Sequence, residues 1–307
     1  MNVTLRQLRA FSAVARTKSF TQAANMLHVT QPALSLIINV LESQLGVCLI
    51  DRHAAGNRLS KIGEEFYPLV SRILSDIDRA LNDINDLKLL ERGTLRMAVP
   101  QVMASTLIPR IISRFRADYG KIHVDVIDCP VEEVSNRIMY GDAEIGIGPF
   151  QNETQDLRAD LLFEQSFRLA ASEGCDLLSK KRINWRDLEG YPMIIMGGQF
   201  ANQLILDVHE LIGKPISYSI QEVSFMSTAF GLVESGAGVT VYLPYASALV
   251  KMHNLQTRKI YPDLKNRFYI YSDKNRDMSP ASKKFSEYAH NYMSECSESR
   301  LSSSWNL

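Results

Sequence analysis

Ser19-Phe20-Thr21-Gln22-Ala23-Ala24-Asn25-Met26-Leu27-His28-Val29-Thr30-Gln31-Pro32-Ala33-Leu34-Ser35 is the stretch whose reading decides the fold. Ser19 and Gln22 stand in capping-box spacing ahead of Ala23, Ala24 and Leu27, which predicts a short helix from about Phe20 to His28. Thr30 is a second cap candidate, and Pro32 falls in the first turn of the next helix, where a missing N–H costs nothing. That helix is expected from about Gln31 to Gln44. Ala33, Leu34, Ile37, Ile38 and Leu41 recur at helical spacing, while Gln31, Ser35 and Asn39 share a polar face at i, i+4, i+8. Two short helices joined by a tight turn, the second presenting polar side chains, are the parts of a helix-turn-helix that enters a DNA major groove.

Upstream, Thr4 and Gln7 repeat the capping spacing ahead of a first helix carrying Leu5, Leu8, Phe11, Val14 and Ala15 on one face. Downstream, Val47-Cys48-Leu49-Ile50 and Arg58-Leu59-Ser60 flank residues 51–57 and read as a small β-wing. Arg52 and Arg58 are its candidate phosphate contacts, against the plainer reading of solvated surface charges. The formal net charge of the 307 residues is zero, but it is unevenly spread. Residues 1–63 carry seven Lys and Arg against two Asp and Glu, a net of +5; residues 64–92 come to −3 and residues 93–307 to −2. Such asymmetry is expected when one end of a chain meets a polyanion. From Ile62 the apolar positions Phe66, Leu69 or Val70, Ile73, Ile77, Ala80 or Leu81, Ile84 and Leu87 alternate by three and four, the seam of a coiled coil. A core helix within one domain is the alternative, but Asp76, Asp78, Asp83, Asp86 and Lys88 make the other faces polar. Phe66, Ile73, Ile77 and Ile84 are therefore assigned to dimerisation. Pro68 requires either that the helix begin shortly before it or that it kink.

Leu8-Arg9-Ala10-Phe11, Ser19-Phe20-Thr21-Gln22-Ala23-Ala24, Leu27, Thr30-Gln31-Pro32-Ala33-Leu34-Ser35, Leu41-Glu42, Leu45-Gly46, Leu49, Arg52, Leu59-Ser60 and Gly63 together resemble the N-terminal signature of the LysR-type transcriptional regulators. Looser matches follow in order: Gly93-Thr94-Leu95-Arg96, Leu107-Ile108-Pro109, Phe115, Tyr119, 141–147 and Gly236-Ala237-Gly238-Val239. The resemblance implies an α/β protein with an N-terminal, all-α winged helix-turn-helix (1–63), a dimerising linker helix (64–92) and a two-lobed, periplasmic-binding-protein-like (type II) effector domain (93–307). Lobe I would be 93–164 with 268–307, and lobe II 165–267, joined by two crossover strands. The implied DNA contacts are Thr30, Gln31, Pro32, Ser35, Leu36, Asn39, Arg52 and Arg58. Implied partners are double-stranded DNA with an inverted-repeat operator, a small-molecule effector, and a second copy in a homodimer or a dimer-of-dimers tetramer, with RNA polymerase a further candidate. One departure stands out: the family commonly places a cation after Ser35, where this chain has Leu36-Ile37-Ile38-Asn39-Val40. Leu36 either meets a thymine methyl or packs inside.

Beyond Arg92-Gly93, strands and helices alternate in the βαβ rhythm of a parallel sheet: strands at 95–99, 123–127, 144–148, 167–171, 193–196, 217–223, 238–242 and 268–271, helices at 106–118, 131–140, 202–212, 227–235 and 281–294. Ligands of open α/β sheets sit at the carboxyl ends of strands. That places the effector among Pro100, Gln101, Val102, Met103 and Ser105, Phe150, Gln199 and Phe200, and Ser224, Phe225 and Met226, with ordinary loop or core packing as the alternative at each. Polar loops with aromatic walls and no clustered cations suit a small, partly apolar organic acid. No nucleophile elbow, phosphate loop, dinucleotide fingerprint or zinc-protease motif occurs, the six histidines are dispersed, and Cys48, Cys129, Cys175 and Cys296 form no C-x-x-C pair. Neither catalysis nor a cofactor nor a metal is expected, and buried thiols are preferred over a thiol-disulfide sensor. With neither a signal peptide nor an apolar run of membrane length, a cytoplasmic protein is expected. The rival readings are a solute-binding protein or effector sensor without a transcriptional role, and an unrecognised enzyme.

Overall fold

In the computed structural model the described residues are 3–53, 56–87, 93–149, 156–214 and 216–298, with side chains at all of these except 52, 53, 56, 57, 78–87, 199, 297 and 298. They divide into two compact units, Met1–Arg92 with Asn136–Ala143, and Gly93–Ser135 with Glu144–Leu307.

Thr4 opens α1 (Leu5–Thr17) with the reciprocal bonds its spacing predicts: the Gln7 N–H reaches Thr4 Oγ1 at 3.3 Å and the Thr4 N–H reaches Gln7 Oε1 at 2.7 Å. Ser19 caps α2 (Phe20–Met26) through the Gln22 N–H, and Thr30 caps α3 (Gln31–Leu45) through the Ala33 N–H. Between α2 and α3, His28 adopts a left-handed φ of 54°, and the Val29 N–H closes back on the Ala24 carbonyl. Leu34, Ile38 and Leu41 of α3 are fully buried with Phe11, Ala23, Leu49, Ile50 and Val70. The wing is β1 (Ile50–His53) against β2 (Gly56–Leu59), antiparallel, with Asp51 opposite Arg58. Its strands extend into what the sequence leaves as a loop, because the ladder supplies pairing that local pattern does not show.

α4 (Lys61–Leu87) follows at once. Ser60 Oγ accepts the Gly63 N–H at 3.0 Å and donates to the Cys48 carbonyl at 2.6 Å, tying the helix start to the wing. Pro68 lies inside α4 and not in its first turn, so it withholds the N–H that would bond to the Glu64 carbonyl. Phe66, Tyr67, Val70 and Leu74 pack on the N-terminal core, with the Phe66 ring 5.5 Å from that of Phe11. Also in this unit, Tyr67 lies 5.4 Å from Tyr140, ring to ring, and Ser75 Oγ donates to the Gly141 carbonyl at 2.7 Å.

The second unit opens with β3 (Gly93–Pro100), which runs without a loop into α5 (Gln101–Thr106) and then α6 (Ile108–Asp118). β4 (Ile122–Cys129), a 3-10 turn at Val131–Glu133, β5 (Ile145–Pro149) and β6 (Leu157–Ser166) complete the first half, with α7 (Val134–Met139) passing into the first unit from Asn136. The second half comprises β7 (Arg168–Ala171), β8 (Ile183–Asn184), β9 (Pro192–Met196), α8 (Gln199–Ile212), β10 (Ser219–Val223), α9 (Met226–Glu234), β11 (Val239–Tyr242), α10 (Ser247–Met252) and β12 (Gln256–Tyr261). The described residues return through β13 (Lys265–Asp273) and close with α11 (Pro280–Glu298). Two sheets result, in the orders β4-β3-β5-β13-β6 and β10-β9-β11-β7-β12-β8. In the first, β3 is parallel to β4 and β5, while β13 is antiparallel to both β5 and β6. The sequence predicts a helix over 106–118, which α6 matches from Ile108 onward, and α5 ahead of it, β6, β8, β12 and α10 are additions. One core runs through both lobes, from Leu95, Met97, Phe115 and Phe285 to Leu169, Trp185, Met193 and Val241.

Gly63 is tightly constrained, since a Cβ there would collide with the carbonyl oxygen of Leu49. Gly63→Ala should force α4 away from the wing and cost the first unit about 1–3 kcal/mol, read as a lowered denaturation midpoint of the full chain.

Candidate functional site

The outward face of α3 collects most of the residues assigned to DNA. Gln31, Pro32, Leu36 and Asn39 are exposed and Ser35 is half-buried, while Thr30 is exposed but has its hydroxyl engaged by the Ala33 N–H. Leu36 is 63% exposed, so the alternative that it packs inside is overturned. Arg58 is exposed on β2; the Arg52 side chain lies outside the described residues. A residue whose part the sequence does not announce is Glu42: its Oε1 accepts the N–H groups of Leu49 at 2.7 Å and Ile50 at 3.0 Å, holding the start of the wing against α3. Its signal was that it is the sole acidic residue before Asp51. The nearby Cys48 thiol is pushed up by desolvation and by the Glu42 carboxylate, away from a reactive thiolate. None of the four cysteines forms a disulfide.

The seam assignments divide. Phe66 is half-buried, its ring 5.5 Å from that of Phe11 in its own chain. Ile73 is 47% exposed, and with Ile62 and Leu69 at 48% and 55% it leaves an apolar row on the outer face of α4. Between Leu69 and Val70 the structure therefore selects Leu69 as the outward residue. Ile77 is half-buried, and the Ile84 side chain lies outside the described residues.

The effector assignments fare unevenly. Pro100, Val102, Met103 and Met226 are buried. Because α5 starts directly after β3, its inner face is core: Met103 packs in the main cluster, and Val102 of lobe I joins Ala170, Ile194, Met226, Phe230 and Tyr242 of lobe II. Gln101 and Ser105 remain exposed at i, i+4 on the outer face of α5, as do Ser224 and Phe225, the latter 51% exposed. Phe200 is half-buried, its ring 6.2 Å from Phe167. Phe150 and the Gln199 side chain lie outside the described residues. Among the described residues, no hydrogen bond or ring contact joins Gln101 or Ser105 to Phe200 or Ser224.

Other groups, unannounced by the sequence, lie nearer the crossing between lobes. Gln165 Oε1 accepts the Tyr245 N–H at 2.9 Å, but Gln165 Nε2 and Arg168 Nε are buried without an acceptor among the described residues. Burial pushes the Tyr245 hydroxyl far above its ordinary value, so it stays neutral. At the start of α8, Gly198 has φ +78° and ψ −147°, a conformation open to glycine, and α8 has no side-chain cap. Two carboxylates face this turn: a methyl added at Gly198 would lie 3.6 Å from Glu132 Oε1 of lobe I, and one at Gly197 would strike Glu222 Oε2. This unit also holds concavities. Among them are a cavity of about 10 Å³ between Thr106, Arg110, Tyr245 and Tyr292, beside the Gln165 contact, and an open groove of about 620 Å³ along α6 and β4. Among the described residues no cluster of His, Cys, Asp and Glu suits a metal, and no helix is long and apolar enough to cross a membrane.

A winged helix-turn-helix preceding a long helix and a two-lobed α/β receptor defines the class of one-chain, ligand-responsive transcription regulators. The family description "Bacterial regulatory helix-turn-helix protein, lysR family" matches residues 5–64, and "LysR substrate binding domain" matches residues 89–294. A "Probable RuBisCO transcriptional regulator" of Thalassiosira pseudonana is 41% identical over 275 residues, covering 84% of this chain and 86% of that one. The "Transcriptional dual regulator GltC" of Bacillus subtilis is 29% identical, covering 95% of this chain and 98% of that one. Among solved structures, CbnR in complex with its target DNA superposes with a TM-score of 0.69 at 21% identity, over 94% of this chain and 99% of that one. A full-length OxyR from Pseudomonas aeruginosa superposes with a TM-score of 0.71 at 19% identity, over 94% and 95%. The chain belongs to the LysR family of DNA-binding transcription regulators, with an effector-binding domain, and its curated relatives are regulators and not enzymes.

Gln31→Ala and Ser35→Ala should each relax base preference by about 1–3 kcal/mol at one position of the half-site. Arg58→Ala should weaken binding to all sequences alike and flatten its salt dependence. Gel shifts on matched and scrambled duplexes at two salt concentrations separate these outcomes.

Proposed function

We propose that this chain works in the cytoplasm as a homodimer, or as a tetramer built of two dimers, that grips an inverted-repeat operator and changes its grip when a small, partly apolar organic acid enters between the lobes. The observation that carries the reading is the double commitment of α4. Its inner row, Phe66, Val70 and Leu74, is satisfied within the chain, whereas Ile62, Leu69 and Ile73 remain exposed on a helix directly attached to the wing. A second copy covers that row and sets two α3 helices at a fixed spacing, the geometry an inverted repeat matches.

The unmatched donors at the crossing favour an acid. Buried N–H groups without acceptors are costly, and carboxylate oxygens at Gln165 Nε2 and Arg168 Nε would relieve that cost. The acid group belongs there and not at the start of α8, where Glu132 and Glu222 already place negative charge. Phe225 and the half-buried Phe200 supply apolar wall. The ligand acts only through its differential affinity for two lobe closures.

Ile73→Glu puts a charge into the seam, so sedimentation should show the dimer weakened and operator affinity should fall with it; an unchanged oligomer places the seam elsewhere. For the effector, a panel of small mono- and dicarboxylic acids should raise the melting temperature of the wild type, and Arg168→Met should abolish that shift while leaving ligand-free DNA affinity within about twofold, an energy difference near RT. A shift that survives in Arg168→Met moves the acid to another part of the cleft.

A further inference from the structure

The exposed face of α3 carries two parallel rows. Gln31, Ser35 and Asn39 form one; Pro32, Leu36 and Val40, each one residue further on, form the other at the same i, i+4, i+8 spacing. The second row is apolar throughout. Leu36 is 63% exposed and Val40 40%, while the buried side of the helix is already filled by Leu34, Ile38 and Leu41 at 0%. Neither Leu36 nor Val40 is therefore needed to hold the fold. Residues 31–45 include no Lys or Arg, and their one acid, Glu42, is committed to the Leu49 and Ile50 N–H groups. A helix without cations draws little from the phosphates, so what it reads must come from hydrogen bonds and apolar contact with base edges.

The major groove offers one apolar protrusion, the C5 methyl of thymine. We propose that the Pro32–Leu36–Val40 row is a methyl-reading ridge, and that this chain selects operators by thymine methyl groups lying opposite Leu36 and Val40. The proposal rests on α3 being the helix that enters the groove. It commits the face to DNA because the ridge is continuous with the polar row and shares its helix face. Leu36 and Val40 are about 6 Å apart along the helix, the rise of about two base-pair steps, so the thymines fall within a short stretch of each half-site.

The test uses the full-length chain and a random-sequence duplex library. Duplexes enriched by the wild type define a consensus, which is resynthesised with deoxyuridine replacing each thymine in turn. That exchange removes one methyl and leaves the pairing edge intact. At one or two positions per half-site the exchange should weaken wild-type binding about fourfold, the value of one apolar carbon taken from water. Leu36→Ala, an exposed change to a better helix former, should bind thymine and uracil duplexes equally at the position Leu36 reads, with Val40→Ala doing the same at its own. A consensus whose affinity is indifferent to every thymine-to-uracil exchange overturns the methyl ridge and leaves α3 as the reading helix. Failure to enrich any consensus overturns the reading-helix assignment itself. Discrimination that persists undiminished in both variants places methyl recognition on other residues and overturns the proposal.

Discussion

The DNA-facing unit depends on one carboxylate. Glu42, on the far end of the reading helix, takes the N–H groups of Leu49 and Ile50. Those are the residues by which the chain leaves α3 and enters the wing. Each is a backbone donor at the edge of a buried cluster, where a donor without an acceptor costs about 1–3 kcal/mol. The bond fixes the wing against the helix that precedes it. The collision that any side chain at Gly63 would make with Leu49 fixes the wing against the helix that follows. Reading helix, wing and linker helix thus converge on two residues, and a shift in α4 is handed to the wing through hard contact.

The second unit is organised on a different principle. Its two sheets share one apolar core, and the connection between them is a long antiparallel ladder in which β6 and β13 match from Leu157–Asp273 to Ser166–Lys265. Close by, the Gln165 side-chain oxygen accepts the Tyr245 N–H, and the Gln165 amide nitrogen has no partner among the described residues. Buried polar atoms of this kind are costly when left without partners, so the paired ladder beside them carries the stability of the connection.

Capping explains why so much of the first unit was legible. Thr4 with Gln7, Ser19, Thr30 and the early Pro32 each act on a helix end within four residues, so spacing alone carries the information. Inward Leu34, Ile38 and Leu41 follow from helical period. What could not be read depends on partners distant in the chain. β6 reads Leu-Arg-Ala-Asp-Leu-Leu-Phe-Glu-Gln-Ser, without alternation, and becomes a strand because β13 pairs with it. The same holds for the effector assignments. The end of a strand was legible at Pro100, but that α5 would begin at the very next residue and bury Val102 and Met103 was not, since its cap makes no side-chain bond. That Phe66 packs against Phe11 was likewise not legible, because its period along α4 does not say which distant ring it meets.

The ladder between the lobes has a bearing on protein engineering. Ser166 and Lys265 are register partners, so the chain leaves the five-stranded sheet and returns to it at adjacent points. Everything between them, the whole six-stranded lobe, is topologically an insertion with neighbouring ends. Segments of that kind can be exchanged where the core residues shared by the two lobes are matched. Residues 167–264 therefore form a cassette, and chimaeras cut at this pair would let half of a sensor's chemistry be swapped while the wing, the reading helix and the linker stay as they are.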